Sequence, residues 1–500
     1  MRIPAFLIGG VNSGSGKTTL ALALMRAFAR RGLRVAPFKC GPDYIDPFFH
    51  RQATGRASIN LDTFLMGRDG VKEAFYGNLA DADVAVVEGV MGLFDGIRPD
   101  SVSGSSAEIA ALLDIPVILA VNARGISGSI APLVKGFAEW RSDVKLGGVI
   151  ATFTGSPNHG FLLRDALKAA ELPPLLGTLR RNEKWTLPER HLGLALNRVG
   201  DVWLDSLADA AEDEIDLDAL LSFVSAERPD EAEYETPGDE LPRGGAREVS
   251  GDFTCGDQPM QLGRGRTENP ARLSFCDAEH RTVKPVFLNE KPMARLAVAR
   301  DEAFQFYYED NFRILRSAGV ELVDFSPLHD DFLPENVHGV YLGGGFPELH
   351  AAELSANRSM LDSIRDFAAR GKWIYGECGG FLYLLDALTD FKGQRHPMLG
   401  LLPGEAKMND RLNSLGYRVL RCVSGSVFKA GTVIRGHEFH YSCAVVTEGA
   451  QELFAAENTK GLPVFSASGA VRGSVCGSYV HLHFASNPEA VKQWVEAMTR

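Results

Sequence analysis

The chain has 500 residues, 45% of them hydrophobic, with 52 Lys and Arg against 64 Asp and Glu and a formal net charge of −12. That length exceeds one ordinary domain, and the acidic balance argues against sequence-independent nucleic-acid binding, which needs a positive surface. No run of about 18 apolar residues occurs, so no membrane span is expected. The first ten residues lack the regions of a signal peptide, and the expected compartment is cytoplasmic. The cysteines (Cys40, Cys255, Cys276, Cys378, Cys422, Cys443, Cys476) are odd in number and scattered, which fits neither a disulfide framework nor a metal-spaced cluster.

Strand-like runs over residues 5–8, 34–38, 84–87, 116–121 and 148–150 alternate with helical segments. In the segment 18–31, Leu20, Leu24 and Phe28 share one face and Gly32 can end the helix. Such alternation predicts a parallel sheet covered on both sides. The first strand runs into Gly9-Gly10-Val11-Asn12-Ser13-Gly14-Ser15-Gly16-Lys17-Thr18-Thr19. Backbone N–H groups in a loop of this type converge on phosphate oxygens, the helix N-terminus adds partial positive charge, and a Lys reaches the terminal phosphates. Gly14, Ser15, Gly16, Lys17, Thr18 and Thr19 are therefore the candidate ATP-binding residues. The commonest pattern has Gly five residues before Gly16, where this chain has Val11; the glycine here is Gly10, one position earlier.

A phosphate site needs a metal, Mg²⁺, and carboxylates beside it. The buried run 84–87 ends in Glu88-Gly89 at the ligand edge of a parallel sheet. Thr18, Glu88 and Asp46 are the metal candidates. Asp43 and Asp46, in Gly41-Pro42-Asp43-Tyr44-Ile45-Asp46-Pro47, read either as metal or substrate-orienting acids or as an ordinary turn.

Residues 226–284 change to Gly, Glu, Asp, Pro and Arg with little periodicity, a linker or surface insertion. The βα rhythm returns at 295–298. Strands are predicted near 321–325, 339–342 and 373–375, with helices over 303–317 and 358–370 and a strand-rich end from about 432. Tyr375-Gly376-Glu377-Cys378-Gly379-Gly380 reads as strand, sharp turn and helix: a nucleophile elbow carrying sulfur. A helix N-terminus there is expected to lower the thiol pKa. Backbone amides of Gly344 and Gly345, after the strand at 339–342, with that of Gly379, are the candidate oxyanion hole. Ser478-Tyr479-Val480-His481-Leu482-His483 supplies a base, His481. Cys and His with an oxyanion hole suggest acyl transfer through a thioester, here glutamine hydrolysis feeding ammonia to an activated carboxylate.

These segments resemble the cobyrinate a,c-diamide synthase family. The resemblance rests on the phosphate loop, the 41–47 motif, Thr54-Gly55-Arg56, Asn60-Leu61-Asp62, Glu88-Gly89-Val90-Met91-Gly92-Leu93-Phe94-Asp95-Gly96 and Pro188-Glu189-Arg190-His191-Leu192-Gly193. Downstream it includes Gly344-Gly345-Phe346-Pro347-Glu348-Leu349, Glu377-Cys378-Gly379-Gly380, Gly436-His437-Glu438-Phe439-His440-Tyr441-Ser442 and the terminal histidine motif. It implies a dethiobiotin-synthetase-like P-loop domain over 1–225, a polar stretch over 226–290 and a class I glutamine amidotransferase α/β domain over 291–500. It also implies ATP-driven phosphorylation of the a and c carboxylates of cobyrinate, with L-glutamine as amide donor. Cys378 would be the nucleophile and His481 its activator, with no third triad member after His481. Asp43, Asp46, Glu88 and Asp95 would serve metal, phosphoryl transfer and substrate. Hydrogenobyrinate, nickel-sirohydrochlorin and sirohaem are alternative macrocycles, a non-enzymatic nucleotide switch is the alternative class, and a homodimer is compatible. Thr152 stands where relatives usually carry an Asn that can contact the nucleotide base.

Overall fold

The strands of the first sheet, β1 (Arg2–Gly10), β2 (Val35–Cys40), β4 (Val84–Glu88) and β5 (Val117–Asn122), are apolar runs buried almost end to end. Strands of this kind must be covered on both faces. In the computed structural model, which describes residues 2–185, 199–227 and 292–499, they pair in parallel in the order β3-β2-β4-β1-β5-β6-β7. The remaining members are β3 (Ile59–Leu61), β6 (Leu146–Thr154) and β7 (Leu175–Arg180), and β8 (Val224–Glu227) lies antiparallel beside the start of β1. One apolar cluster fills each side of this sheet. The motif at 188–193 and residues 228–290 of the polar stretch lie outside the described residues.

Helix α1 (Lys17–Arg30) follows the phosphate loop and buries Leu20, Leu24 and Phe28, as its periodicity predicts. Each such side chain contributes roughly 1.5–3 kcal/mol through area removed from water. The helix stops because Gly32 takes φ 80°, which lets Leu33 N–H donate to Phe28 O and Gly32 N–H to Ala29 O. Helices α2 (Ile45–Thr54) and α3 (Thr63–Gly77) follow β2 and β3, and the Asp62 carboxylate caps α3 by accepting from the Phe64 and Leu65 amides.

The second part has a sheet in the order β10-β9-β11-β12 followed by the strand Val475–Ser478, all parallel. Its strands are β9 (Ala294–Ala299), β10 (Val320–Phe325), β11 (Gly339–Leu342) and β12 (Trp373–Glu377). A separate antiparallel sheet joins Ser414–Cys422, Val433–His440, Phe454–Glu457 and His481–His483. The helix expected over 303–317 begins only at Glu309. Asp301 accepts from the Ala303 and Phe304 amides, and Phe306 bridges to Gly344, so 303–308 is held as a loop by partners outside any helical ladder. Among the described residues no helix is long and apolar enough to cross a membrane.

The two parts touch through specific side chains. The Tyr417 hydroxyl donates to Asp62 at 2.6 Å, its ring lies against Phe64, and Arg435 donates to the Phe64 carbonyl. Arg313 pairs with Glu73 at 3.0 Å and Arg51 with Glu309 at 3.7 Å.

Candidate active sites of the two domains

The phosphate loop leaves β1 at Gly10. A Cβ there would meet the Lys17 side chain at 2.8–2.9 Å. The close approach that requires glycine therefore falls on Gly10, which explains why Val11 is tolerated. Gly14 and Gly16 both take φ 79°, turning the loop so that α1 points its first amides back across it. The Ser15 hydroxyl and the Lys17 ammonium both donate to the Asn12 carbonyl. Burial and the neighbouring Lys39 hold the Lys17 ammonium below its usual range. Thr152 donates to the Ser15 carbonyl at 2.8 Å, so this residue braces the loop from the end of β6. Beside it an open cleft is lined by Gly16, Thr19, Thr152, Phe153, Leu179, Arg180, Asn182 and Trp185.

Glu88 sits at the end of β4 and is fully buried. It accepts from the Thr18 hydroxyl at 2.7 Å and from the Lys39 ammonium at 2.8 Å, and it pairs with His50 Nε2 at 2.6 Å. Lys39 also pairs with Asp46 at 2.7 Å, and both are almost completely buried. Burial alone would push Lys39 down, but Asp46 and Glu88 overcome it and hold the ammonium above its ordinary range. Burial likewise would raise Glu88, and Lys39 with His50 outweighs it, so the carboxyl stays ionised well below the usual carboxylate range. Lys39 and His50 were not among the residues expected at this site. A signal existed for each: Lys39 is a lone cation in an apolar strand, and His50 follows Asp46 by one helical turn.

Asp43 uses Oδ1 to accept from the Ile45 and Asp46 amides, and Asn60 Nδ2 donates to the carbonyls of Gly41 and Asp43. The 41–46 turn is thus a pinned structure that presents Asp46 inward. Asp95 accepts from the Gly92 amide at 2.7 Å, and its charge is felt at Lys17. The Leu93 amide donates to the Gly10 carbonyl, which lays this second loop over the phosphate loop. Among the described residues no three His, Cys, Asp or Glu side chains form a self-sufficient metal cluster.

At the second site Cys378 takes φ 48° and ψ −104°, a left-handed conformation that a non-glycine residue holds only when its surroundings impose it. They do: β12 pairs with Val475–Ser478, the Cys378 amide donates to the Ser478 carbonyl at 2.8 Å, and Gly380 N–H donates to the Gly343 carbonyl. The elbow predicted from sequence is therefore present. The expected lowering of the thiol pKa is not. Burial, then the carboxylates of Glu348 and Glu438, raise it, and the six-residue helix after the elbow does not offset them.

His481 packs against the same glycine loop: a Cβ on Gly344 would strike its imidazole, while a Cβ on Gly379 would meet Gly345 N at 3.1 Å. Burial, with His437 and His440 facing it, lowers the imidazole to about 3. Of the three glycines expected to hold an oxyanion, Gly344 departs from that role, because its N–H donates to the Phe306 carbonyl at 3.3 Å. The amides of Gly345 and Gly379 remain as the candidate pair. Glu377, just before the nucleophile, anchors the base strand. Its carboxylate accepts from the Leu482 amide at 3.0 Å and from the hydroxyls of Tyr341 and Tyr375.

Residues 6–194 match the model of the CobQ/CobB/MinD/ParA nucleotide binding domain, and residues 295–489 that of the CobB/CobQ-like glutamine amidotransferase domain. A cobyrinate a,c-diamide synthase of Syntrophotalea carbinolica is 41% identical over 504 aligned positions, covering 99% of each chain. One from Dehalococcoides mccartyi strain CBDB1 is 39% identical, covering 99% of this chain and 98% of its own. With a nucleotide-binding domain ahead of a glutamine amidotransferase domain, matched over essentially its whole length, this chain belongs to the cobyrinate a,c-diamide synthase family.

Proposed function

We propose that the chain uses ATP and glutamine to convert the a and c side-chain carboxylates of cobyrinate into carboxamides. The observation that carries this reading is the pairing, in one chain, of a phosphate loop hydrogen-bonded to a buried acid with a strained Cys378 elbow facing the glycine loop on which His481 packs. In the glutaminase half, Cys378 Sγ attacks the glutamine carboxamide carbon while His481 takes the thiol proton. A high thiol pKa and a low imidazole pKa mean that the resting pair is neutral, so proton transfer accompanies attack. The amides of Gly345 and Gly379 receive the oxyanion. His481 returns the proton to the leaving ammonia, and water then releases glutamate and restores the thiol.

In the synthetase half, a substrate carboxylate oxygen attacks the γ-phosphorus of ATP, giving an acyl phosphate and ADP. Ammonia displaces phosphate from that acyl carbon to leave the amide. Lys17 and the loop amides stabilise charge on the transferring group. Thr18 and Glu88 bring two hard oxygens within 2.7 Å of each other beside the loop. That set suits Mg²⁺, which commonly completes its shell with phosphate oxygens and water. Bound there, Mg²⁺ would offset the repulsion between the phosphoryl group and the substrate carboxylate. Asp46 acts through Lys39, fixing the cation that neutralises Glu88.

The test is incubation with glutamine, ATP–Mg²⁺ and, separately, cobyrinate, hydrogenobyrinate, nickel-sirohydrochlorin and sirohaem, with amides counted by mass. Two amides added to cobyrinate are expected. Two amides on another macrocycle and none on cobyrinate would replace the substrate, and ATP and glutamine turnover without any amide would overturn the ligase reading.

A further inference from the structure

A Cys–His pair ordinarily has its imidazole oriented by a third group that accepts a hydrogen bond from the other ring nitrogen. Here no such group is found among the described residues. Nδ1 of His481 is buried and has no hydrogen-bond partner among the described residues. Glu438, a carboxylate on the strand beside it, is taken by Arg418 at 2.6 Å and by His440 at 2.8 Å. Glu377 is committed to the Leu482 amide and two tyrosines. His483, at the position where a triad acid would stand, lies with its ring 4.8 Å from Tyr308.

What does touch His481 is a side chain of the other domain. The Tyr44 ring lies 4.7 Å from the His481 ring, at an interplanar angle of 35°. It also stacks on Phe306 at 5.6 Å and packs on Tyr308 at 4.8 Å. Phe306 is the residue whose backbone bridges Gly344, so Tyr44 presses at once on the base and on the segment that supports the oxyanion glycines. Tyr44 has little freedom of its own. It lies between Asp43, whose carboxylate caps the turn, and Asp46, which is ion-paired to Lys39.

We infer that Tyr44 is the positioning residue for His481, supplying by ring packing from the synthetase domain the orientation that a triad carboxylate would otherwise supply. It follows that the imidazole is fully aligned only while the 41–46 turn is in place. Any change that phosphate or substrate makes at Asp46 and Lys39 is then felt at the glutaminase. This inference rests on the glutaminase reading of Cys378 and His481 and on no particular macrocycle.

The experiment measures glutamate release by the full-length chain, with and without ATP–Mg²⁺ and macrocycle, for the parent, Tyr44→Ala and Tyr44→Phe. Amidation driven by ammonium chloride is measured in parallel. Tyr44→Ala should lower kcat for glutamine about tenfold or more, the scale expected when a catalytic group loses its alignment, with KM within about twofold. Its acid limb should move up toward the ordinary imidazole range as burial is relieved, and Tyr44→Phe, which keeps the ring, should restore both. Ammonium-driven amidation should persist in both variants. Equal loss in the Phe and Ala variants would assign the effect to the hydroxyl and overturn the packing role. So would a Tyr44→Ala enzyme with parental kcat and pH profile, or one that loses ammonium-driven amidation to the same extent. If Tyr44→Ala does not fold, Tyr44→Leu, which keeps apolar bulk without the planar face, gives the same comparison. Because glutamate release is read without a macrocycle as well as with one, an error about the macrocycle leaves the result standing.

Discussion

At the scale of single residues, the synthetase site turns on one cation. Lys39 faces Glu88 across neighbouring strands in register and reaches Asp46 on α2, so two buried carboxylates share one ammonium. Removing one member of a buried ion network typically costs about 3–5 kcal/mol, because the others are left desolvated and unpaired. Lys39→Met should therefore lower stability by about that amount and abolish ATP-driven amidation. Urea denaturation and single-turnover amidation check it; an unshifted midpoint would show that the pair is not worth its burial. Glu88→Gln keeps the shape and loses the charge, so it should fold with a smaller penalty and bind ATP within about tenfold of the parent, since the loop amides persist. Its turnover should still fall by orders of magnitude, because it no longer positions the phosphoryl centre. Cys378→Ala separates the halves: glutamine-driven amidation should vanish while synthesis from high ammonium continues. Loss of both in a folded protein would mean that the two sites are not chemically independent.

At the scale of elements, the elbow and the glycine loop that faces it are a single construction. β12 delivers Cys378 into a strained turn, and β11 delivers Gly343–Gly345 across from it. Gly345 lies so close to the Ala303 carbonyl that a Cβ would overlap it. Gly345→Ala should push this loop off Gly379 and lower kcat for glutamine hydrolysis by about 10²–10³, the usual effect of losing one oxyanion donor. Ammonium-driven amidation should be spared, since no synthetase residue is touched. Parental glutaminase activity in this variant would exclude the Gly345 amide. The segment 303–308 is the other side of the same construction. Its composition reads as the start of a helix, yet the capping carboxylate of Asp301 and the bridge to Gly344 keep it extended against the loop it supports.

At the scale of the whole molecule, burial of titratable groups around the glutaminase site sets an acid limit on stability. His481 is lowered to about 3, and His437 and His483 to about 4, each first by burial. Burial raises Glu348 and Glu377 to about 7. Between the ordinary imidazole value of 6.5 and the ordinary Glu value of 4.5 the unfolded chain binds three imidazole protons that the native state lacks. The native state there holds two carboxyl protons that the unfolded chain lacks, so the effects partly offset and leave a net difference of about one proton, about 1.4 kcal/mol per pH unit. Below pH about 4.5 the unfolded carboxyls also protonate, while native His437 and His483 take up their protons near pH 4, so the imidazole difference shrinks over the same range. Stability should then fall by up to about 2 kcal/mol per pH unit from these five groups, steepest between about pH 5 and pH 4, with loss of the depressed Glu88 carboxylate adding in the same direction. Urea midpoints from pH 7 to pH 3.5 check it. A decline of about 4 kcal/mol per pH unit already below pH 6.5 would mean that the two carboxyls are not protonated in the native state.

Local pattern alone determined much of this protein. Strand, glycine loop, Lys17 and amphipathic helix occur in an order that only a phosphate-binding turn requires, and Gly-x-Cys-x-Gly after a strand requires an elbow. Those features are legible because their cause is backbone geometry over a few consecutive residues. Lys39 and His50 were not singled out because their meaning lies in a partner, Glu88, that is 49 and 38 positions away and reached only through strand register and helix packing. Gly344 and Gly345 are adjacent glycines after one strand, and only the bridge to Phe306 separates their roles. Tyr44 reads as a turn residue between two acids. Its contact with His481, 437 positions later, exists because the two domains dock there, and no local pattern encodes which surface a distant domain will cover.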